Sequence, residues 1–365
     1  MELLGNKGEW SEVYAFLKLL STGKLHAADA DLNKIENVFY EIINIFRKEE
    51  AGELRFSFNK DSKNVAVVKQ IDDTFLITLK SSEFEVEADF LLEKIQNGND
   101  SSFTIQRIES FLKKLGCEKL KAPATDKSDI VIQIHDLNTG YEPVLAFSIK
   151  SRLGSSSTLL NAGKTTNFTY KINGSITDEI MNKFNVTLQE TKKIREALSY
   201  LTNENCSISF DDMDNATFKN NLLLMDSDLP AISALMLMEY YINGNTSVKK
   251  ALQEVEQKNE LNYNLSQSHP FYEYKFKKLI TESALGMLPS RPWNGRADAT
   301  GGYIIVREDG EVLCYHLYNR NEFEDYLINN TKFETASTSR HEFAKIYKVN
   351  GEYFIKLNMQ IRFMK

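Results

Sequence analysis

Cysteine is scarce: Cys117, Cys206 and Cys314 are the only three in 365 residues. An odd number of widely separated thiols excludes a disulfide framework, fits reduced cysteines in a cytoplasm, and offers no spacing for a structural zinc. No run of about eighteen apolar residues occurs, so no transmembrane helix and no membrane partner is expected. The opening MELLGNKGEWSE has neither an apolar core nor a small-residue cleavage site, so no secretory leader is expected. Positive charge is not in excess. Lys and Arg number 44 against 51 Asp and Glu, a net −7 that argues against indiscriminate nucleic-acid binding. There are only six prolines, and no internal repeat or low-complexity linker separates domains.

What remains is an ordinary globular composition, 42% hydrophobic, enough to bury a large core in one elaborated domain or in two. Trp10, Val13, Phe16, Leu17 and Leu20 predict an early helix over Glu9–Leu20, and a second is expected over Leu32–Arg47. Strands are expected at Leu54–Asn59, Asn64–Lys69 and Phe75–Lys80, and helices at Phe84–Ile95 and Thr104–Leu115. A hairpin over Asp129–Ser151 precedes a strand at Thr165–Ile172. Helices then dominate: Leu188–Leu201, Ala216–Leu224, Ala231–Tyr241, Val248–Lys258 and Tyr272–Leu285. Strands return at Gly302–Arg307 and Glu311–Leu317 across an Asp-Gly turn, a short helix follows at Asn321–Asn329, and Phe343–Val349 pairs with Glu352–Asn358. The expected fold is mixed α/β (α+β). Its segments are 1–205 with the N-terminal helix and the hairpin, a helical region 206–287, and a β-rich region 288–365. Weak boundaries are read at Asn203–Asp214 and His269–Phe271.

The hairpin carries the most information. Ile130, Ile132 and Ile134 alternate with Asp129, Gln133 and His135, while Leu145, Phe147 and Ile149 alternate with Ser148 and Lys150. Folding the two strands together brings Asp129, Ser148 and Lys150 to one face. A carboxylate, a polar oxygen and an ammonium are the parts of a metal-dependent phosphodiesterase site. Hard oxygen ligands, here Asp129 and the backbone carbonyl of Ile149, select magnesium. One carboxylate makes a thin site, so a second acid is expected from the early helix. Glu9 and Glu12 lie three apart there; the ordinary reading is two solvated glutamates at a helix start, and Glu12 is the candidate ligand. Gln133 could support ligands or water, and His135 reads as an ordinary strand-end histidine.

These features resemble the PD-(D/E)XK nuclease superfamily, and the chain as a whole resembles the HpaII-type restriction endonucleases. The resemblance rests on GNKGEWSEVY, FSIKSRLGSSSTLLNA, TNFTYKI, PWNG, DATGGYIIVREDGEVLCYHLYNRNEFEDYL, NNTKFETASTSRH and FIKLNMQIRF. It implies a nuclease core with a mixed central sheet flanked by helices, and a bacterial type II enzyme cutting a short palindrome in double-stranded DNA with Mg2+. For the namesake of the family that palindrome is CCGG. It also implies a cognate DNA methyltransferase as functional partner, and a palindromic target favours a homodimer. In one respect the chain departs from the pattern: Ser148 stands where the superfamily usually has a second carboxylate.

DNA contacts are expected on three stretches. Between Pro143 and Asn173 the charged residues are Lys150, Arg152, Lys164 and Lys171, with no acid among them. There Arg152 and Lys164 suit phosphates, Asn161 and Asn167 suit base edges, and Ser155 and Thr158 add polar groups. Arg291 with Arg296, and Arg340, form the other two. The ordinary readings are chance clustering and polar surface loops. Two competing functions share these features: a DNA-binding module that has lost cleavage, and a structure-specific repair or junction nuclease. Discrete fragments, retarded intact DNA, or junction-only cleavage would separate the three.

Overall fold

The apolar stripe of the first helix has its match in the structure, a computed structural model that describes residues 3–70, 72–98, 100–120, 128–137, 139–191 and 193–364. Helix α1 spans Lys7–Thr22 and buries Trp10, Val13, Phe16, Leu17 and Leu20. Asn6 caps it, accepting from Gly8 N (2.8 Å) and Glu9 N (3.1 Å), and the Glu9 carboxylate accepts from Asn6 N at 2.9 Å. Gly23 ends the helix at φ 65°, where a Cβ would fall 2.3 Å from the Phe58 ring. After it come β1 (Lys24–Ala28), β2 (Lys34–Glu49), β3 (Gly52–Asn59), β4 (Asn64–Lys69), β5 (Phe75–Lys80), α2 (Ser81–Asn97), α3 (Gln106–Lys114), β6 (Ile130–His135) and β7 (Val144–Ser151).

By contacts the chain divides into two units. The first is built from Met1–Ser157 and Ala297–Tyr326, the second from Thr158–Arg296 and Leu327–Met364. These units cut across the expected segments 1–205, 206–287 and 288–365. The cause is sheet pairing: strands Gly302–Val306 and Val312–His316 return to pair with β7 and β1, while Asn167–Gly174 pairs with Cys206–Met213 and Glu352–Asn358.

The first unit holds a nine-stranded mixed sheet in the order β1, Val312–His316, Gly302–Val306, β7, β6, β2, β3, β4, β5. Strand β1 also pairs with the N-terminal half of β2, so six of these strands form a closed ring of pairings. One face of the sheet presents Ile130, Ile132, Ile134, Phe147, Ile149, Ile304, Val306, Val312 and Cys314 to α1, in one apolar core. The other face presents Tyr303 and Tyr315, which stack against Phe323 of the helix Arg320–Asn329 (ring centroids 5.1 and 5.8 Å). Both faces are covered, which is why Gly302–Val306 and Val312–His316 are buried throughout.

In the second unit, a four-stranded sheet runs in the order Cys206–Met213, Asn167–Gly174, Glu352–Asn358, Ile346–Val349, and a three-stranded one joins Thr331–Phe333, Ile361–Phe363 and Thr158–Leu160. Helices fill the middle of the chain. Among the described residues no single helix is long and apolar enough to cross a membrane. The apolar pair Ala216–Met225 and Leu229–Asn243 is bent by 110°.

Three expectations fail. Leu32–Arg47 is the strand β2, not a helix. It is rich in Ile, Val, Phe and Tyr, and a bulge between Ile42 and Asn44 shifts the buried positions from Tyr40 and Ile42 to Ile45, which imitates a helical stride. Asn203–Asp214 is no boundary, since it contains the paired strand Cys206–Met213. Leu188–Leu201 straddles two helices, Asp178–Thr191 and Ile194–Asn203. All three cysteines are free and buried.

His316 ends the last strand of the first unit, 3% exposed against Tyr40 (ring centroids 4.9 Å), with its Nδ1 accepting from Tyr318 N at 3.1 Å. Burial pulls its pKa down to about 4 from an unfolded value of 6.5. The unfolded chain therefore binds the extra proton first. The stability due to a neutral His316 is complete above about pH 6.5 and is lost as pH falls through 4, at most on the order of 3 kcal/mol. Thermal melting of the wild type should drop between pH 6.5 and 4, and His316→Phe should flatten that slope.

Candidate active site

The antiparallel register of β6 and β7 pairs Ile130 with Phe147, and Asp129 N donates to Phe147 O at 2.9 Å. Asp129 therefore stands at the start of β6 opposite Ser148. Its Oδ2 accepts two hydrogen bonds, from Ser148 Oγ at 3.0 Å and from the Ile149 N–H at 2.6 Å. Oδ1 accepts none from the described residues. Lys150 lies two residues beyond Ser148 on the same face, at the diagonal position of the pair, roughly 7–8 Å from Asp129 along the backbone. It is half-buried, with Nζ 5.6 Å from the centre of the Tyr303 ring. Tyr303 sits opposite Ser148 across the parallel pairing of β7 with Gly302–Val306. Burial, with the Asp129 charge nearby, holds the Tyr303 hydroxyl far above its ordinary pKa, so it stays neutral.

Helix α1 contributes from the other side. The two glutamates at its start divide their roles: Glu9 is spent on the cap, whereas Glu12, a turn further on, lines a pocket with Asp129 and Ile149. That pocket encloses about 570 Å3, open mouth included, and Arg47, Lys48 and Glu53 also border it. Arg47 pairs with Glu49 (2.6 Å), whose side chain is 2% exposed, and Glu49 in turn accepts from Glu118 N at 3.0 Å. This buried pair anchors the chain just upstream of residues 121–127, which lie outside the described residues and lead into Asp129.

As a test of fit for a cation, two carboxylates line one pocket, and one of them has a free oxygen. Among the described residues no three His, Cys, Asp or Glu side chains gather as a metal cluster. Such a donor set suits magnesium, which keeps several waters and is commonly bound by one or two carboxylates together with substrate phosphate.

Other expected residues fall elsewhere. Gln133 shares the face of Asp129, but its amide accepts from Asn44 Nδ2 (2.7 Å) and donates to Glu142 O (3.3 Å), and it does not line the pocket. His135 does not line that pocket; its Nδ1 lies 3.3 Å from a Glu142 carboxylate oxygen. The turn of the hairpin includes Asn138, outside the described residues.

The basic strip is not one free surface. Arg152 lies half-buried and hydrogen-bonds the Tyr326 hydroxyl. Lys164 and Lys171 pair with Glu342 and Glu352. Both members of the Lys164–Glu342 pair are more than 60% exposed, so a phosphate could displace the glutamate at little cost. Ser155 and Asn161 are exposed, and Thr158 is half-buried in the three-stranded sheet opposite Arg362. Asn167 requires a correction: it is 1% exposed, donates to His341 O (2.9 Å) and accepts from Asn358 Nδ2 (2.7 Å), so no base edge can reach it. Its polar character in the sequence reflects a buried amide network, not a reading surface.

Arg291, Arg296 and Arg340 are exposed and without ion pairs among the described residues. The first two sit on a loop clamped by Asn221, a residue the sequence did not single out. Asn221 is 3% exposed; its Nδ2 donates to Leu288 O (3.2 Å) and Arg291 O (2.9 Å), and its Oδ1 accepts from Trp293 N (2.9 Å).

A mixed sheet with an aspartate and a lysine on adjacent strands, and a helix glutamate at the same pocket, is the architecture of a nuclease core. The model of the HpaII restriction endonuclease family matches residues 6–363. The Type II restriction enzyme HpaII of Haemophilus parainfluenzae is 45% identical over 361 residues, 99% of this chain and 98% of that protein. No solved structure matches. The chain belongs to the HpaII restriction endonuclease family, and with it to the type II restriction endonucleases, hydrolases of double-stranded DNA in restriction–modification systems. Enzymes of this type generally use a divalent metal.

Asn167→Ala should lower the melting temperature, with a loss of about 1–3 kcal/mol from the partners left unpaired, while DNA affinity of the folded fraction stays unchanged. Gel retardation and thermal unfolding of the same preparation test both halves.

Proposed function

We propose that the chain hydrolyses double-stranded DNA at the palindrome CCGG with Mg2+, using Asp129, Glu12, Ser148 and Lys150. The observation that carries this reading is the Asp129 carboxylate, tied through one oxygen to Ser148 and Ile149 and open at the other, in the pocket that Glu12 also lines. Asp129, Glu12 and the backbone carbonyl of Ile149 are the oxygen donors for the ion. When bound, the ion supplies polarisation of the scissile phosphate and a water of lowered pKa. Ser148 adds no charge; its hydroxyl holds the Asp129 carboxylate in place, as a neutral substitute for the acid usual at that position. Lys150 offers its ammonium to the phosphate as negative charge builds there. Gln133 acts only through the strand, steadying β6 against β2.

Sequence reading falls to exposed side chains. Arg291, Arg296 and Arg340 suit guanine O6 and N7 in a G·C-only target, while Arg152 and Lys164 suit phosphates. Ser155, Thr158 and Asn161 offer further polar contacts. A two-fold palindrome fits a homodimer in which each copy cuts one strand, and a cognate methyltransferase would protect the same sequence in a bacterial cytoplasm.

Digestion of a long natural DNA, followed by sequencing of the ends, tests the target directly; ends without a CCGG boundary overturn it. Asp129→Ala and Lys150→Ala should each lower cleavage by a factor on the order of 10²–10⁴ with DNA retention largely intact. Full activity in either variant removes the site assignment. Chelation of divalent ions should stop cleavage, and Mg2+ should restore it.

A further inference from the structure

Lys150 is held in an unusual way for a lysine in an acidic chain. It is half-buried, yet no ion pair or hydrogen bond engages its ammonium among the described residues. The residue two positions earlier on the same face, Ser148, is neutral, and its hydroxyl is turned to Asp129. What does face the ammonium is an aromatic ring: Nζ lies 5.6 Å from the centroid of Tyr303.

That ring is itself fixed. Tyr303 is 2% exposed, paired in register with Ser148, and packed against Phe323 at 5.1 Å between centroids. The strand that carries it is set tightly against β7, because Gly301 N donates to Ala146 O at 2.8 Å and any Cβ on Gly301 would come within 2.6 Å of the Phe147 ring. A ring so confined has a single orientation to offer.

We propose that Tyr303 is a positioning residue for Lys150, its ring face holding the ammonium where no carboxylate among the described residues does. A carboxylate partner would neutralise the lysine and would have to be displaced, or share it, when a phosphate arrives. A ring face attracts the cation through its quadrupole, restricts its rotamers, and leaves the full positive charge for the substrate. The inference rests on the assignment of Lys150 to the cleavage site.

The test measures single-turnover cleavage and, separately, DNA retention without metal. Tyr303→Leu should slow cleavage by about 3- to 30-fold with retention unchanged, and Tyr303→Phe, which keeps the ring, should restore most of the rate. Because a leucine here could disturb the fold, phenylalanines bearing one, two and three fluorines at position 303 form a second arm. They keep the shape while draining the ring face of electron density, so the logarithm of the rate should fall stepwise while the melting temperature holds. A rate indifferent to fluorination overturns the proposal. Lys150→Ala separates the two failures: an active Lys150→Ala sinks the site assignment itself, whereas an inactive one with a flat fluorine series sinks only the role of Tyr303.

Discussion

A single carboxylate oxygen ties together the two strands of the candidate site. Oδ2 of Asp129 receives the Ser148 hydroxyl and the Ile149 amide, so the start of β6 is pinned to the middle of β7 by side chain as well as by strand pairing. Ile149 is also a core residue beneath α1, and Ser151, two further on, bonds Ser11 of that helix at 2.9 Å. The placement of Glu12 beside Asp129 follows from that packing. Buried apolar faces set where the helix lies, and the few polar groups at the end of the sheet inherit their geometry from it.

How much of this was readable in advance depended on what kind of regularity carried it. Alternation in β6 and β7 was legible because one face is wholly apolar, and a one-residue slip would bury Asp129 and Lys150. The polar face of Asp129, Ser148 and Lys150 was therefore visible as a pattern of types. The preference for Glu12 over Glu9 as the candidate second acid came from its neighbourhood to the hairpin, and the capping box that engages Glu9 is consistent with that preference.

The misreadings have physical causes of their own. In β2 the bulge near Ile43 broke the two-residue period, and propensity alone could not overrule the helical look of the run. Asn167 looked like a surface reader because amides often are. Its burial comes from Asn358, some 190 residues away, a partner no local pattern announces. Asn221 and Tyr303 were silent for the same reason: each matters through neighbours distant in the chain, and each sits in a stretch that reads as plain core. The division into units was hidden too, since long-range strand pairing leaves no mark on composition.

The late return of the chain to its first sheet bears on how the enzyme is made. Gly302–Val306 and Val312–His316 lie between β7 and β1, so the sheet cannot close until more than three hundred residues have left the ribosome. A nascent or prematurely released polypeptide presents β7 with one flank bare and no ring beneath Lys150.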